Sequence, residues 1–231
     1  MMTNTDQRPF RVVVVNAGVS DPSSTKMLAD RLALRVEAAA QRDGRTVETQ
    51  HLDLRELLPE LSGALASGHL GPKFTKAIDA LKAADGIIAT APVYKAGPSG
   101  LFTSFFQVID NDLLIAKPVV LGATAGTARH ALVVDEQMRS MFAFLRTMTT
   151  PTSVFASTED WQDKSLGKRI DRAARELVVL MESEVEAKIT DASWDHYQHE
   201  FGSAGGDEFG IDLSSDLMKL AAGGSLGAPR S

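Results

Sequence analysis

The chain lacks cysteine throughout its 231 residues. This excludes disulfides, a thiolate nucleophile and any cysteine-ligated metal or cluster, and it fits a reducing cytoplasm. We therefore expect a cytoplasmic protein without a metal site. Basic residues are also in the minority, since 24 Lys and Arg stand against 30 Asp and Glu for a net charge of −6. A nucleic-acid-binding protein usually carries a basic excess, so nucleic acid is not an expected partner.

Long apolar runs are missing as well. No apolar segment approaches the ~18 residues that suggest a membrane span, and residues 1–11 carry no hydrophobic signal-peptide core. We expect no association with a membrane. Hydrophobic residues nonetheless make up 44% of the chain, which is ample for the core of one α/β domain of this length.

Short apolar segments alternate with longer amphipathic ones along the chain. The predicted strands are Phe10–Val15, Thr46–Leu52, Gly86–Thr90, Pro118–Gly122 and Thr152–Ala156. The predicted helices are Ser23–Arg42, Lys73–Ala84, Ser99–Asp110, Ala128–Thr147 and Lys164–Lys188. Such an alternation predicts a five-stranded parallel sheet with helices on both faces. The flavodoxin-like strand order 2-1-3-4-5 fits it, with a switch point between the first and third strands.

The composition changes after residue 190. Two glycine-rich stretches, Ser203–Gly206 and Gly223–Pro229, flank a segment that could form one short helix. We interpret residues 1–190 as the flavodoxin-like domain and residues 191–231 as a flexible tail or an arm. A disordered tail and an arm that packs on a partner subunit both fit this composition.

The loop after the first strand, Asn16–Thr25, is dense in hydroxyl groups and opens a helix. Hydroxyls together with the free N–H groups of a first helical turn can hold a dianionic phosphate. Ordinary helix capping by Ser and Thr would give the same pattern. The position of the loop at the switch point favours the phosphate.

Two further loops follow strands and re-enter helices. Pro92–Gly100 lacks the residues of a hydrolase, but a planar ring can lie along such backbone, with Tyr94 stacked on it and Gly97 letting the chain turn beneath. Gly122–His130 is built of small residues that permit close approach by a ligand. The three loops together indicate a nucleotide-like ligand, and the middle one indicates a flavin.

These residues resemble a known family. Val93-Tyr94-Lys95 after Pro92, the following Ser99-Gly100, and Thr124–Thr127 ahead of His130 and Asp135 are similar to the NAD(P)H-dependent FMN reductases. The likeness is strongest to reductase components of two-component flavin monooxygenase systems, such as those of alkanesulfonate utilisation, and spans roughly residues 10–160. The first loop differs, because Val19-Ser20-Asp21 follows Gly18 where family members often have Ser-x-Arg.

The resemblance implies the ligands and their sites. FMN and either NADPH or NADH are the implied cofactors, and hydride passes between them without a catalytic side chain. The implied phosphate site is Ser20, Ser23, Ser24 and Thr25. The implied isoalloxazine site is Pro92, Val93, Tyr94 and Lys95, with Thr124, Ala125, Gly126 and Thr127 on the other side.

Reduced FMN would then pass to a partner flavin-dependent monooxygenase. Two alternatives share the fold: a quinone, azo-dye or metal-oxyanion reductase with bound FMN, and a flavodoxin-like electron carrier. The third predicted helix bears six apolar residues, more than one buried stripe needs, so we expect a homodimer or homotetramer. The six are Leu101, Phe102, Phe105, Phe106, Val108 and Ile109.

Overall fold

The computed structural model of the chain describes residues 8–190, so the predicted tail at 191–231 lies outside the described residues. The strands are β1 (Phe10–Asn16), β2 (Val47–Asp53), β3 (Gly86–Tyr94), β4 (Gly97–Pro98), β5 (Pro118–Thr124), β6 (Met148–Thr149) and β7 (Val154–Ala156). The helices are α1 (Ser24–Arg42), α2 (Leu54–Ser67), α3 (Pro72–Ala83), α4 (Gly100–Val108), α5 (Arg139–Phe144), α6 (Lys164–Glu182) and α7 (Val185–Thr190). No helix in the described range is both long and apolar enough to cross a membrane.

The sheet runs in the order β2-β1-β3-β5-β6, and β7 also pairs with β5. The flavodoxin-like order 2-1-3-4-5 is kept, but the sheet has seven strands rather than the predicted five, because two short strands share the fifth position and β4 is added beside β3. Met148–Thr149 pairs with the start of β5 and Val154–Ala156 with its end. Pro151 lies between the two segments and has no N–H group to donate to a ladder. All of these pairs are parallel, and the two-residue β4 adds one antiparallel pair with β3.

Apolar side chains of the central strands feed two cores, one on each face of the sheet. In β1, Val13 and Val15 pack into the core beneath α2, α3, α4 and α5, while Val12 and Val14 pack beneath α1 and α6. A strand that is apolar on both faces is typical of a doubly covered parallel sheet. The prediction of helices on both faces is therefore confirmed.

Helix α2 was not among the predicted helices. Pro59 interrupts its second turn, and a proline in that position argues against a helix from sequence alone. The helix forms because Asp53 caps it, accepting a hydrogen bond from the N–H of Arg55 at 3.0 Å, and because Leu57 and Leu61 are buried in the core. It ends at Gly68, whose φ is 70°.

Most of the six apolar side chains of the predicted third helix are buried within the chain. Phe102, Phe105 and Phe106 are buried and pack against Phe74 and Phe142 with ring centroids 4.7–6.2 Å apart. Ile109 is buried too, and only Leu101 and Val108 remain partly exposed. Burial inside the chain thus accounts for most of the apolar residues of this helix, and both the subunit interface on it and the homodimer or homotetramer stay predictions.

Candidate functional site

Three loops meet at the carboxyl edge of the sheet. Asn16 at the end of β1 pairs with Thr90 of β3, and Thr90 pairs with Gly122 of β5. This register places the loops after β1, β3 and β5 side by side, as the sequence predicts. Ligands of open α/β sheets bind at this edge, outside the carboxyl ends of the strands.

A buried hydrogen bond joins the first and third loops. The Oγ1 atoms of Thr25 and Thr124 lie 2.7 Å apart, and the two residues are 2% and 3% exposed. Thr25 belongs to the first turn of α1 and Thr124 ends β5. The bond fixes the start of α1 against the end of β5. These two predicted site residues therefore hold the first and third loops in their relative positions.

The first loop folds tightly over the start of α1. The N–H of Gly18 donates to Asn16 Oδ1 at 3.0 Å, and a Cβ on Gly18 would overlap Ser23 Oγ. Ser23 is buried, and its Oγ accepts a hydrogen bond from the N–H of Lys26 at 3.2 Å. Ser24, by contrast, is exposed. The loop therefore has one buried hydroxyl that caps α1, on Ser23, and one exposed hydroxyl, on Ser24.

The second loop is a β-hairpin whose tip is Lys95 and Ala96. Their φ angles are 51° and 63°, and Tyr94 pairs with Gly97 across the turn, as in a type I′ hairpin. Gly97 lies in β4 outside the positive-φ positions, so the prediction that it makes the turn is wrong. Left-handed conformations at residues other than glycine cost about 1–3 kcal/mol each and cluster at ligand clamps. Tyr94 is 52% exposed beside this tip.

Gln137 supports the hairpin tip from the neighbouring segment. Its Nε2 donates to the carbonyl of Ala96 at 2.7 Å. Gln137 sits in a π-helical turn, Val134–Met138, so the single helix predicted over Ala128–Thr147 is wrong in its continuity. Such turns often occur at functional sites. The sequence carries no signal for this contact, because its geometry depends on the extra residue in the turn.

The third loop leaves space in front of it. In the part of the chain that the structure describes, a Cβ built on Gly126 meets no heavy atom within 4 Å other than those of its chain neighbours, and Gly126 has no positive φ. Ala125 is half-buried, and its N–H donates to the carbonyl of Ala156 at 3.1 Å. The loop is thus anchored at Ala125 and leaves room for a side chain at Gly126, and the approach of a ligand ring at this glycine stays a prediction.

The predicted site residues divide by exposure. The exposed ones are Ser20, Ser24, Tyr94, Lys95, Gly126 and Thr127, and the buried ones are Ser23, Thr25, Pro92, Val93 and Thr124. Pro92 and Val93 belong to an extended β3, where Pro92 pairs with Thr124. The structure brings all three predicted segments to one edge and leaves each with at least one exposed member.

A cavity of about 490 Å³ lies at the amino edge of the sheet, away from these loops, and Arg8, Phe10, Asp85 and Glu186 are among the residues that line it. Both signs of charge are present, and Arg8 and Asp85 pair with each other. None of the three loops is among the residues that line this cavity. Within residues 8–190, no group of three His, Asp or Glu side chains is placed to hold a metal ion.

Comparison with known proteins decides the family. Residues 10–162 match the family described as NADPH-dependent FMN reductase. The chain belongs to this family. It is 35% identical to an FMN reductase (NADPH) of Pseudomonas aeruginosa over 155 residues, which are 67% of this chain and 81% of that relative. It is 34% identical to the NADH-dependent FMN reductase SfnE of Pseudomonas putida over 177 residues, which are 74% of this chain and 92% of that relative.

Solved structures agree with this assignment. An oxidoreductase from Corynebacterium diphtheriae is 38% identical, with a TM-score of 0.75 over 77% of this chain and 99% of that one. A flavodoxin, WrbA-like protein from Agrobacterium tumefaciens gives a TM-score of 0.51 at 18% identity, over 76% of this chain and 97% of that one. The second likeness shows the fold alone. The family and the flavodoxin-like fold expected from the sequence are both confirmed.

Proposed function

We propose that this FMN reductase family member carries hydride from NADPH or NADH to FMN and passes reduced FMN to a flavin-dependent monooxygenase. The observation that supports it is the meeting of three loops at one sheet edge, with Gly126 facing open space. Because the strands that precede them are neighbours in the sheet, the hydroxyls of the first loop and the hairpin tip at Lys95 would flank that space. An elongated ligand with a phosphate end and a planar end fits this division.

The phosphate end is assigned to the first loop. Ser20 and Ser24 are exposed, and Ser24 opens α1, whose N–H groups carry partial positive charge. Ser23 and Thr25 are buried: Ser23 caps α1, and Thr25 forms a hydrogen bond with Thr124. The exposed hydroxyls would donate to phosphate oxygens while the buried pair keeps the loop in place.

The ring end is assigned to the space between the hairpin and Gly126. Tyr94 is about half exposed on the hairpin and would offer an aromatic face to the ring, and the backbone beside it is held by pairing with Gly97. Gln137 fixes the tip through Ala96. A rigid tip positions a ring without a large entropic loss on binding.

The chain needs few reactive side chains for this reaction. FMN, when bound, supplies the hydride-accepting ring. The residues of the three loops bind the flavin, orient it toward the nicotinamide and exclude water, and such positioning contributes much of the rate in a two-substrate reaction. No side chain has to gain or lose a proton in this scheme.

Steady-state kinetics with the purified full chain tests the proposal. NADH and NADPH are each mixed with FMN, FAD or riboflavin, and the nicotinamide absorbance is followed. Both nicotinamides are compared because relatives named for NADPH and for NADH are similarly identical, at 35% and 34%. We expect FMN-dependent oxidation, and FMN that leaves the protein on gel filtration.

Two results would contradict the proposal in different ways. FMN that stays bound while quinones are reduced would identify a reductase with a prosthetic flavin. Flavin binding without nicotinamide oxidation would identify an electron carrier.

The partner and the assembly are tested separately. When it is added, with FMN and a nicotinamide, to a reduced-flavin-dependent monooxygenase in the cytoplasmic pH range, the protein should support product formation. The oligomeric state, measured by light scattering, tests the expected homodimer or homotetramer.

A further inference from the structure

The first loop carries no positive charge of its own. Residues 17–25 contain one charged side chain, that of Asp21, which is negative. Lys26 follows in α1, but its Nζ lies 3.0 Å from Asp30 Oδ2, and this ion pair partly neutralises it. A phosphate dianion at this loop would face hydroxyls and helix N–H groups without a free cation from the same segment.

Arg55 reaches the loop from another element. Asp53, the last residue of β2, pairs with Asn16, the last residue of β1, so the start of α2 lies beside the first loop. Arg55 is in the first turn of α2, and its Nη1 donates to the carbonyl of Val19 at 3.3 Å. The side chain thus bridges from β2's end to the loop that follows β1.

The guanidinium of Arg55 retains most of its binding capacity there. Arginine has five N–H donors in a fixed fork, and the contact with Val19 uses one of them. Arg55 is exposed and forms no ion pair with any residue between 8 and 190. A tethered and unneutralised guanidinium next to Ser20 suits a phosphate, which arginine binds through two parallel hydrogen bonds.

We propose that Arg55 is the cation that binds the 5′-phosphate of FMN and makes the protein prefer FMN over riboflavin. The inference rests on the proposed function, because it takes the first loop as the phosphate site. The hydrogen bond to Val19 gives the guanidinium a fixed starting position, so less side-chain freedom is lost when phosphate binds. Arg55 thus acts as a binding residue that determines flavin specificity.

Flavin titrations of full-length variants test this assignment. FMN and riboflavin are titrated, by quenching of flavin fluorescence, into the wild type, Arg55→Gln and the matched control Lys26→Gln, which removes the same charge near the same loop. We expect Arg55→Gln to raise the Kd for FMN about tenfold or more, since a hydrogen bond to a charged group is worth that much. Its Kd for riboflavin should stay within about twofold of wild type, and Lys26→Gln should change neither by more than that.

A further variant separates charge from geometry. Arg55→Lys should restore part of the FMN preference at low salt and lose it at high salt, because a lysine offers a point charge rather than a fork. Inorganic phosphate should compete with FMN for the wild type and much less for Arg55→Gln. Riboflavin binding of each variant reports that the fold is intact.

The outcomes distinguish the two proposals. If the wild type prefers FMN but Arg55→Gln raises the Kd for FMN and riboflavin equally, or raises neither, the role of Arg55 is overturned. A wild-type protein that binds FMN and riboflavin alike overturns the phosphate loop itself.

Discussion

Thr25 and Thr124 share a hydrogen bond of 2.7 Å between their Oγ1 atoms, across 99 positions of sequence. Both side chains are buried, so the bond is shielded from water. It couples the start of α1 to the end of β5, and therefore couples the loop assigned to the phosphate with the loop assigned to the ring. If the proposed flavin site is right, binding would depend on this contact, because it fixes the separation of the two loops.

Replacing either threonine singly should destabilise the protein. Thr25→Val leaves the hydroxyl of Thr124 buried without its partner, which costs about 1–3 kcal/mol, and Thr124→Val does the same in reverse. The double Val variant removes both polar groups, so its unfolding free energy should lie closer to wild type than the sum of the single changes predicts. Urea unfolding of the four proteins measures this coupling, and strict additivity would contradict it.

Gly126→Val should raise the dissociation constants of FMN, FAD and riboflavin to a similar extent. The three flavins share the ring, and the new side chain would project into the open space that the ring is assigned to fill. The melting temperature should change little, because no atom of residues 8–190, apart from Gly126 and its two chain neighbours, lies within 4 Å of the added Cβ, and Gly126 has no positive φ. Gly167 of α6 is equally free of neighbours, so Gly167→Val serves as the control and should leave flavin affinity unchanged.

Loss of the exposed loop hydroxyls should affect FMN and spare riboflavin. Ser20→Ala combined with Ser24→Ala removes donors to the phosphate, and each charge-assisted hydrogen bond is worth about 1.5–3 kcal/mol. Both residues are exposed, so folding should be unaffected. Titration with the two flavins gives the ratio of their dissociation constants. An equal loss for both would place the phosphate elsewhere.

The sheet and the location of the site are predictable because they depend on local patterns. A run such as Val12–Val15 is apolar at every position, and the residues that follow it break the strand and open a helix. Alternation of strands and helices then fixes the edge at which the loops meet. The family resemblance rests on those same loop residues, and the comparison with known proteins confirms it.

The contacts within the site could not be predicted in the same way. Gln137 meets Ala96 because a π-helical turn shifts the register of its segment, and Lys95 turns the hairpin although glycine stands two positions later. Arg55 reaches Val19 from helix α2, which the sequence does not predict because it contains Pro59. Each of these depends on tertiary packing that overrides a local preference.

Relief of strain at the hairpin tip should stabilise the protein. Ala96 has a φ of 63°, a conformation that glycine adopts freely and alanine does not. Ala96→Gly should therefore raise the unfolding free energy by about 0.5–1 kcal/mol, after the added chain entropy of glycine is subtracted. Ala143→Gly, at an exposed position in α5, is the control and should lower it by about 1 kcal/mol. Thermal unfolding of both variants decides whether the tip is strained.

Asp85 should contribute stability that disappears in acid. Burial acts to raise its pKa, but hydrogen bonds from the Arg8 side chain at 2.6 and 2.7 Å and from the N–H of Arg11 at 2.8 Å outweigh it and hold the pKa below the ordinary value of 3.8. Because the folded-state pKa is the lower one, ionised Asp85 favours the folded state. The contribution is complete above pH 3.8 and is lost as the pH falls through the folded-state pKa.

Asp85→Asn should therefore cost about 1 kcal/mol at neutral pH, a modest value because Arg8 is largely exposed and water screens the pair. The deficit should shrink as the solution is acidified below the ordinary pKa of aspartate. Urea unfolding of variant and wild type in parallel, from neutral pH downward, isolates this residue from the other carboxylates, which titrate in both proteins. A deficit that stays constant with pH would mean that Asp85 acts through packing or neutral hydrogen bonds rather than through its charge.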